Sequence, residues 1–128
     1  MLRGIPAIAR LIVLTAFLGM AAHAGEAPLL HPKYHLPASS FAYVGDPQDP
    51  ATWKLPYRHS DGSIDQQRLP AAIEAMIETW RGRRANVPAA ARHRVLERLA
   101  HAADELGRMP PKAAHPKPLY RKLAAALR

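Results

Sequence analysis

The sequence predicts a mainly α fold: a small three-helix domain with an N-terminal extended strap, or a short β-hairpin, packed on a helical hairpin. Three observations carry that expectation. Apolar residues recur at helical spacing in three stretches of the second half. Prolines and a glycine stand where those helices would start and stop. The segment before them alternates with period two instead, as extended chain does. A chain of 128 residues is the length of one domain.

The first 24 residues read as a secretory signal peptide rather than as fold. Arg3 and Arg10 make a basic start, residues 11–22 carry no charge, and Ala22-His23-Ala24 offers small residues at a cleavage site. The apolar run is shorter than the roughly 20 residues a bilayer requires. The expectation is cleavage after Ala24, a periplasmic or secreted mature protein, and no stable membrane span after cleavage. Met20 is the competing start, and it would leave a cytoplasmic chain.

Residues 25–38, "GEAPLLHPKYHLPA", hold three prolines and no steady period, so they read as a flexible tether. From 39 onward a single domain is expected. Phe41 and Tyr43 alternate and suit a short strand, and "DPQDPAT" at 46–52 suits a turn, because aspartates bond nearby backbone N–H groups. Trp53, Leu55 and Tyr57 then fall at period two, with Lys54, Pro56 and Arg58 between them. Pro56 cannot donate to a ladder, so this stretch is an edge strand or a strap and not a central strand. The strap runs over 39–63 and closes with a turn at "HSDGS".

Helix one is expected over about 65–84, with Leu69, Ile73, Met76, Ile77 and Trp80 as its apolar stripe, and with Asp65 able to cap its first turn. Helix two is expected over about 88–106, with Val95, Leu99, Ala102 and Leu106 inward, Leu96 and Ala103 widening the face, and Gly107 ending it. Helix three, about 118–127, presents Leu119, Leu123, Ala126 and Leu127. The structural anchors read from this pattern are Trp53, Leu55, Tyr57 and Trp80.

Charge and composition narrow the function classes. The formal net charge is +8. Residues 25–128 keep 16 of the 18 Lys and Arg and all 10 acidic residues, leaving +6. Such a surface attracts polyanions, which outside the cytoplasm means anionic lipid or acidic polysaccharide. The chain has no cysteine, which excludes thiolate nucleophiles, cysteine zinc sites and disulfides. Two Trp, four Tyr and two Phe supply a thin core for a chain of this length.

Candidate chemistry is sparse. His59-Ser60-Asp61 has the residue types of a hydrolase triad, but triads assemble from distant segments, and turn chemistry accounts for these neighbours. Asp61, Ser63 and Asp65 start like a calcium loop. Gln66 then stands where glycine belongs and Ala72 where glutamate belongs. His31 and His35 have a metal-pair spacing, broken by Pro32. The strongest feature is an arginine corner at one end of the expected helical hairpin: Arg81, Arg83, Arg84, Arg92 and Arg94, with Arg98 beyond. Guanidinium groups clamp phosphate or carboxylate in bidentate fashion. No catalytic motif and no cofactor signature is found, so the chain reads as a non-enzyme without cofactors.

Four motifs over residues 36–111 carry a resemblance: "LPASSFA", "DPATWKLP", "RLPAAI" and "VLERLAHAA". Together they resemble an uncharacterised small helical domain, a domain of unknown function found in bacterial hypothetical proteins and in phage or mobile-element proteins. The resemblance implies a compact helical module with the Trp53–Tyr57 strap as its hallmark, and it supplies no catalytic residues. The export signal is a departure from that pattern. The function expected from sequence is therefore an exported, non-catalytic binding or interaction module whose partner is a protein or an anionic envelope component. The alternative is a cytoplasmic, nucleic-acid-associated or phage-related protein using the arginine corner.

Overall fold

The structure, a computed structural model, describes residues 28–78 and 85–128. Its elements run from a 3-10 turn at Ala38–Ser40 through strands β1, Phe41–Asp46, and β2, Asp49–Pro56. Helices α1, Arg68–Ile77, α2, Ala89–Glu105, and α3, Pro118–Ala126, follow.

This corrects the expectation of a mainly α domain. The described residues are 41% helical and 17% strand, which makes a small mixed α/β fold with a β-hairpin. The reason is local. Phe41 lies opposite Pro56, Tyr43 opposite Lys54 and Val44 opposite Trp53, so an antiparallel ladder runs nearly the full length of both strands. Aromatic and β-branched residues opposed in this way stabilise a pair. Pro56 argued only against a central strand, and a two-stranded hairpin has only edges, so a proline at the end of one is allowed.

The turn at 46–52 is smaller than expected, because β2 already begins at Asp49. Asp46 Oδ1 accepts from the Gln48 N–H at 2.9 Å and Asp49 Oδ1 from the Ala51 N–H at 3.1 Å. The register shifts between Val44 and Asp46, a bulge beside Gly45. A Cβ on Gly45 would meet the Thr52 Cβ at 3.0 Å, so any larger residue there needs Thr52 to give by a few tenths of an ångström.

Each helix packs on the other two, β1 lies against α2, and β2 against α1. Leu69, Ile73, Leu99 and Leu123 are fully buried at the centre, with Ala42, Ala72, Val95, Ala102, Ala103 and Tyr120 around them. Helix α3 thus covers this chain's own core. Asp65 caps the turn leading into α1: its Oδ1 accepts from the N–H groups of Gln67 and Arg68, at 3.0 and 3.1 Å. Glu78 is already extended, and the Ala85 N–H bonds back to the Ala75 carbonyl at 2.9 Å. Trp80 lies outside the described residues, as does the proposed signal segment.

Helix α2 ends in a Schellman motif. Gly107 has φ +71°, its N–H bonds the Asp104 carbonyl, and the Arg108 N–H bonds the Ala103 carbonyl at 3.0 Å.

Candidate functional site

The opening of α2 is where the described residues bring cations together without counter-charge. Three alanines begin the helix, and its first turn has neither an acidic residue nor a side-chain cap. Arg92, His93 and Arg94 follow at once, all exposed. His93 Nε2 meets Glu97 Oε1 at 2.7 Å, whereas Arg92 and Arg94 make no ion pair among the described residues. Arg92 Nε donates only to the Val87 carbonyl, a long 3.4 Å contact. The usual preference at a helix start is for acids, since the aligned peptide dipoles leave partial positive charge there. Cations at this end are unfavourable for the helix, and an incoming anion reverses the sign.

A cleft of 390 Å³ lies beside this helix start, lined by Tyr43, Ala51, Thr52, Lys54, Asn86 and Pro88. It is open to solvent. The ladder positions Lys54 opposite Tyr43, and Lys54 Nζ donates to the Asn86 carbonyl. That bond ties β2 to the segment entering α2. Arg98 is exposed but committed, since its Nη1 donates to the Ala42 carbonyl at 3.1 Å and satisfies the edge of β1. Arg81, Arg83 and Arg84 lie outside the described residues. Of the described cations at this end, Arg92 reaches the Val87 carbonyl and Lys54 the Asn86 carbonyl, both on the segment entering α2, while Arg94 stands two residues on, toward another side of the helix. The sequence placed Lys54 only between the period-two apolar residues of a strap. Its place beside α2 depends on hairpin register, which spacing alone could not supply.

The strap residues have a different setting. Trp53 is 3% exposed, its Nε1 donates to the Asp46 carbonyl at 2.9 Å, and its ring meets Phe41 at 5.7 Å. Phe41 in turn stacks on His31 at 5.2 Å and lies 6.1 Å from Tyr34. Trp53 therefore belongs to an aromatic group on the hairpin, beside the helical core. Tyr57 is buried in the helical core cluster. Leu55, between them, is half-buried with φ +64°, a left-handed conformation unusual for leucine. That twist breaks the alternation. Leu55 lines a 260 Å³ cleft with Tyr34, Pro56, Arg68, Ala71 and Ala72, where Arg68 lies over the Tyr34 ring at 5.1 Å.

The remaining candidates are local. His59, Ser60 and Asp61 sit in an exposed turn closed by the His59 N–H to the Ser63 carbonyl at 2.8 Å. Asp61 Oδ1 accepts from the Ser63 hydroxyl at 2.6 Å and from its N–H, and these bonds hold its pKa down. Burial pushes the Asp65 carboxyl up, but the bonds from Arg68 and Gln67 and the charges of His59 and Arg68 outweigh it, so its pKa is lowered. His31 Nδ1 accepts from the N–H groups of Lys33 and Tyr34, at 3.1 and 3.3 Å, so that nitrogen is unprotonated. Burial, then the charges of Lys33 and His35, lower the His31 pKa. Among the described residues no three His, Asp or Glu side chains are grouped to hold a metal ion, and no helix is long and apolar enough to cross a membrane.

No family model, curated protein or solved structure matches this chain.

Proposed function

We propose that the protein is an exported, non-catalytic binding module that takes an anionic envelope component at the end of α2 that carries Arg92 and Arg94, with Lys54 on the adjoining hairpin. The observation that carries this reading is the pair of arginines without counter-charge at the uncapped start of α2, beside an open cleft with a lysine on its wall. Fixed backbone polarity and exposed guanidinium groups both favour negative charge there. The cleft suits an extended surface ligand better than an enclosed substrate. Arg81, Arg83 and Arg84 precede this segment in the sequence. The export half of the reading rests on residues 1–24, with the first position of the mature chain at Gly25.

Two measurements test it. The intact mass of the protein from fractionated native cells reports its start. A periplasmic or secreted species beginning at Gly25 supports export, and a cytoplasmic species beginning at Met1 or Met20 redirects the anionic partner to nucleic acid. Co-sedimentation with vesicles tests the face. Binding to vesicles rich in phosphatidylglycerol but not to zwitterionic ones is expected, weakening steeply as salt rises from 50 to 300 mM, because exposed charges are screened. An Arg92→Glu, Arg94→Glu chain should lose most of it. Equal binding by that variant would sink the assignment of the face.

A further inference from the structure

We propose a second, separate anion site near the C-terminus: a pocket for a single phosphate monoester group, formed by Arg108, His115 and Lys117 against Tyr120. It does not depend on the Arg92–Arg94 reading. The pocket is a 190 Å³ cleft lined by those four residues with Ala113 and Pro116.

The central observation is an arginine held in place by neutral acceptors. The Schellman motif fixes its backbone, with the Arg108 N–H bonded to Ala103 and Gly107 turning the chain. The side chain is fixed as well. Nη1 donates to the Tyr120 hydroxyl at 3.0 Å, Nη2 donates to Gln66 Oε1 at 3.3 Å, and the guanidinium lies over the Tyr120 ring at 5.9 Å. Tyr120 is buried and belongs to the core, so it is a rigid support. A guanidinium normally reaches such fixity against a carboxylate, which cancels its charge. Here the acceptors are uncharged. The nearby acids are occupied elsewhere: Asp104 by Lys112 at 3.2 Å and Glu105 by His101 at 3.3 Å and Arg58 at 3.7 Å. Arg108 and Lys117 make no ion pair among the described residues. No acidic residue follows Glu105 in the sequence, so α3 brings none to the cleft.

The chemistry of the ligand follows from the donors. A guanidinium has five N–H groups. Two are used internally, which leaves three for a bound anion. Lys117 adds an ammonium and His115 an imidazole from the loop. Donors from three side chains, with at least two positive charges, match a phosphate monoester, which carries about −1.5 to −2 and three acceptor oxygens. A carboxylate would leave both charge and donors unmatched. The helix end contributes little, since Pro118 at the first helical position has no N–H. Drug-sized ligands occupy about 300–1,000 Å³, so this cleft takes the phosphate group while the rest of the molecule stays outside. Either a soluble phosphate ester or a lipid with a terminal phosphate presents that group.

The experiment uses the full chain, with glycerol 3-phosphate and vesicles containing phosphatidic acid as probes. Binding is followed by the amide shifts of residues 108–120 in NMR titrations at constant ionic strength, with chloride as the control anion. Saturable shifts with glycerol 3-phosphate, absent with chloride, are expected. Lys117 is exposed and makes no internal side-chain bond, so Lys117→Gln should fold normally and weaken binding roughly tenfold or more. Arg108→Gln should nearly abolish it. Arg121→Gln removes one exposed charge from α3 outside the cleft and should change affinity less than twofold. Tighter binding to phosphatidic acid vesicles than to the soluble ester supports the site with a lipid as its source, and the reverse order supports it with a soluble ester. Equal shifts with chloride, or equal weakening by Arg121→Gln and Lys117→Gln, overturn it. Loss of binding at the Arg92–Arg94 face leaves this result untouched.

Discussion

Replacing Trp53 by alanine tests how much the aromatic group on the hairpin contributes to the fold. The ring is almost fully buried, and its indole N–H is bonded to the Asp46 carbonyl across the hairpin. Truncating a buried tryptophan costs about 3–5 kcal/mol, of which the hydrogen bond accounts for about 1 kcal/mol. A domain of this size has roughly 5–10 kcal/mol in total. Each kcal/mol moves the melting temperature of so small a domain by about 4–8 °C, so Trp53→Ala should melt at least about 12 °C below wild type. Trp53→Phe keeps a ring against Phe41 and loses the N–H, so a loss of about 1–2 kcal/mol is expected. Urea unfolding followed by far-UV circular dichroism measures both variants. Hydrogen exchange adds a spatial readout, since His31 and Tyr34 reach Trp53 only through Phe41. Faster exchange at the His31 N–H, which bonds the Leu36 carbonyl, should accompany the stability loss. A Trp53→Ala protein within about 0.5 kcal/mol of wild type would refute the reasoning and free Trp53 for a role in binding.

Gly107→Ala has open space for its methyl group, yet φ is +71°, so the cost is confined to the backbone and should be about 1–2 kcal/mol by urea unfolding. Arg92→Glu replaces an unpaired cation near the start of α2 by an anion and should raise stability by a few tenths of a kcal/mol while weakening binding to anionic vesicles. Asp65 has a lowered pKa in the folded protein, so its charge stabilises the fold above the unfolded value near 4, and the contribution is lost as pH falls through the folded value. Asp65→Asn keeps a good cap and should flatten that acid-side dependence, measured as melting temperature from pH 5 to 2.5. The His31 pKa is also lowered, so the neutral imidazole stabilises the fold above about 6.5, and the contribution is lost as pH falls below that value. His31→Gln should remove the corresponding slope between pH 7 and 5.

The helices were legible because their burial follows spacing. Leu69 and Ile73, Val95 and Leu99, and Leu123 are buried where a 3.6-residue period places them. Gly107 was legible for the same kind of reason, since a helix followed by glycine and prolines has few ways to end. The hairpin was only half legible. Phe41, Tyr43, Trp53 and Leu55 showed the alternation of extended chain, but pairing is a relation between two segments, and neither one contains it. The twist at Leu55 also disguised it, since a leucine gives no sign of a positive φ. Tyr120 was not among the residues read as the inward face of helix three, although the helical period turns it inward with Leu123.

The basic residues divide by a test that sequence could not apply, namely what each one already holds. Arg98 satisfies the edge of β1, Lys112 and Lys122 face Asp104 and Glu78, and Arg58 reaches Glu105. Those with carboxylate partners have their charge offset, while Arg98 spends one N–H on the fold. Arg92, Arg94, Arg108 and Lys117 have no carboxylate partner among the described residues, and neither do Lys33, Lys54, Arg121 and Arg128. The first four are distinguished by place, at the start of α2 and around the entry to α3. Helix α1 supplies the contrast, because Asp65 caps it and pairs with Arg68 at 3.7 Å. The same chain therefore follows the usual charge preference at one helix start and departs from it at the other two. Acids at those two starts would stabilise each helix by about 0.3–1 kcal/mol. In a small domain without disulfides that is an appreciable loss to carry twice. Departures of this kind are expected where binding, rather than stability, fixes the residue, which is why both anion sites are placed there and not on the more numerous cations elsewhere.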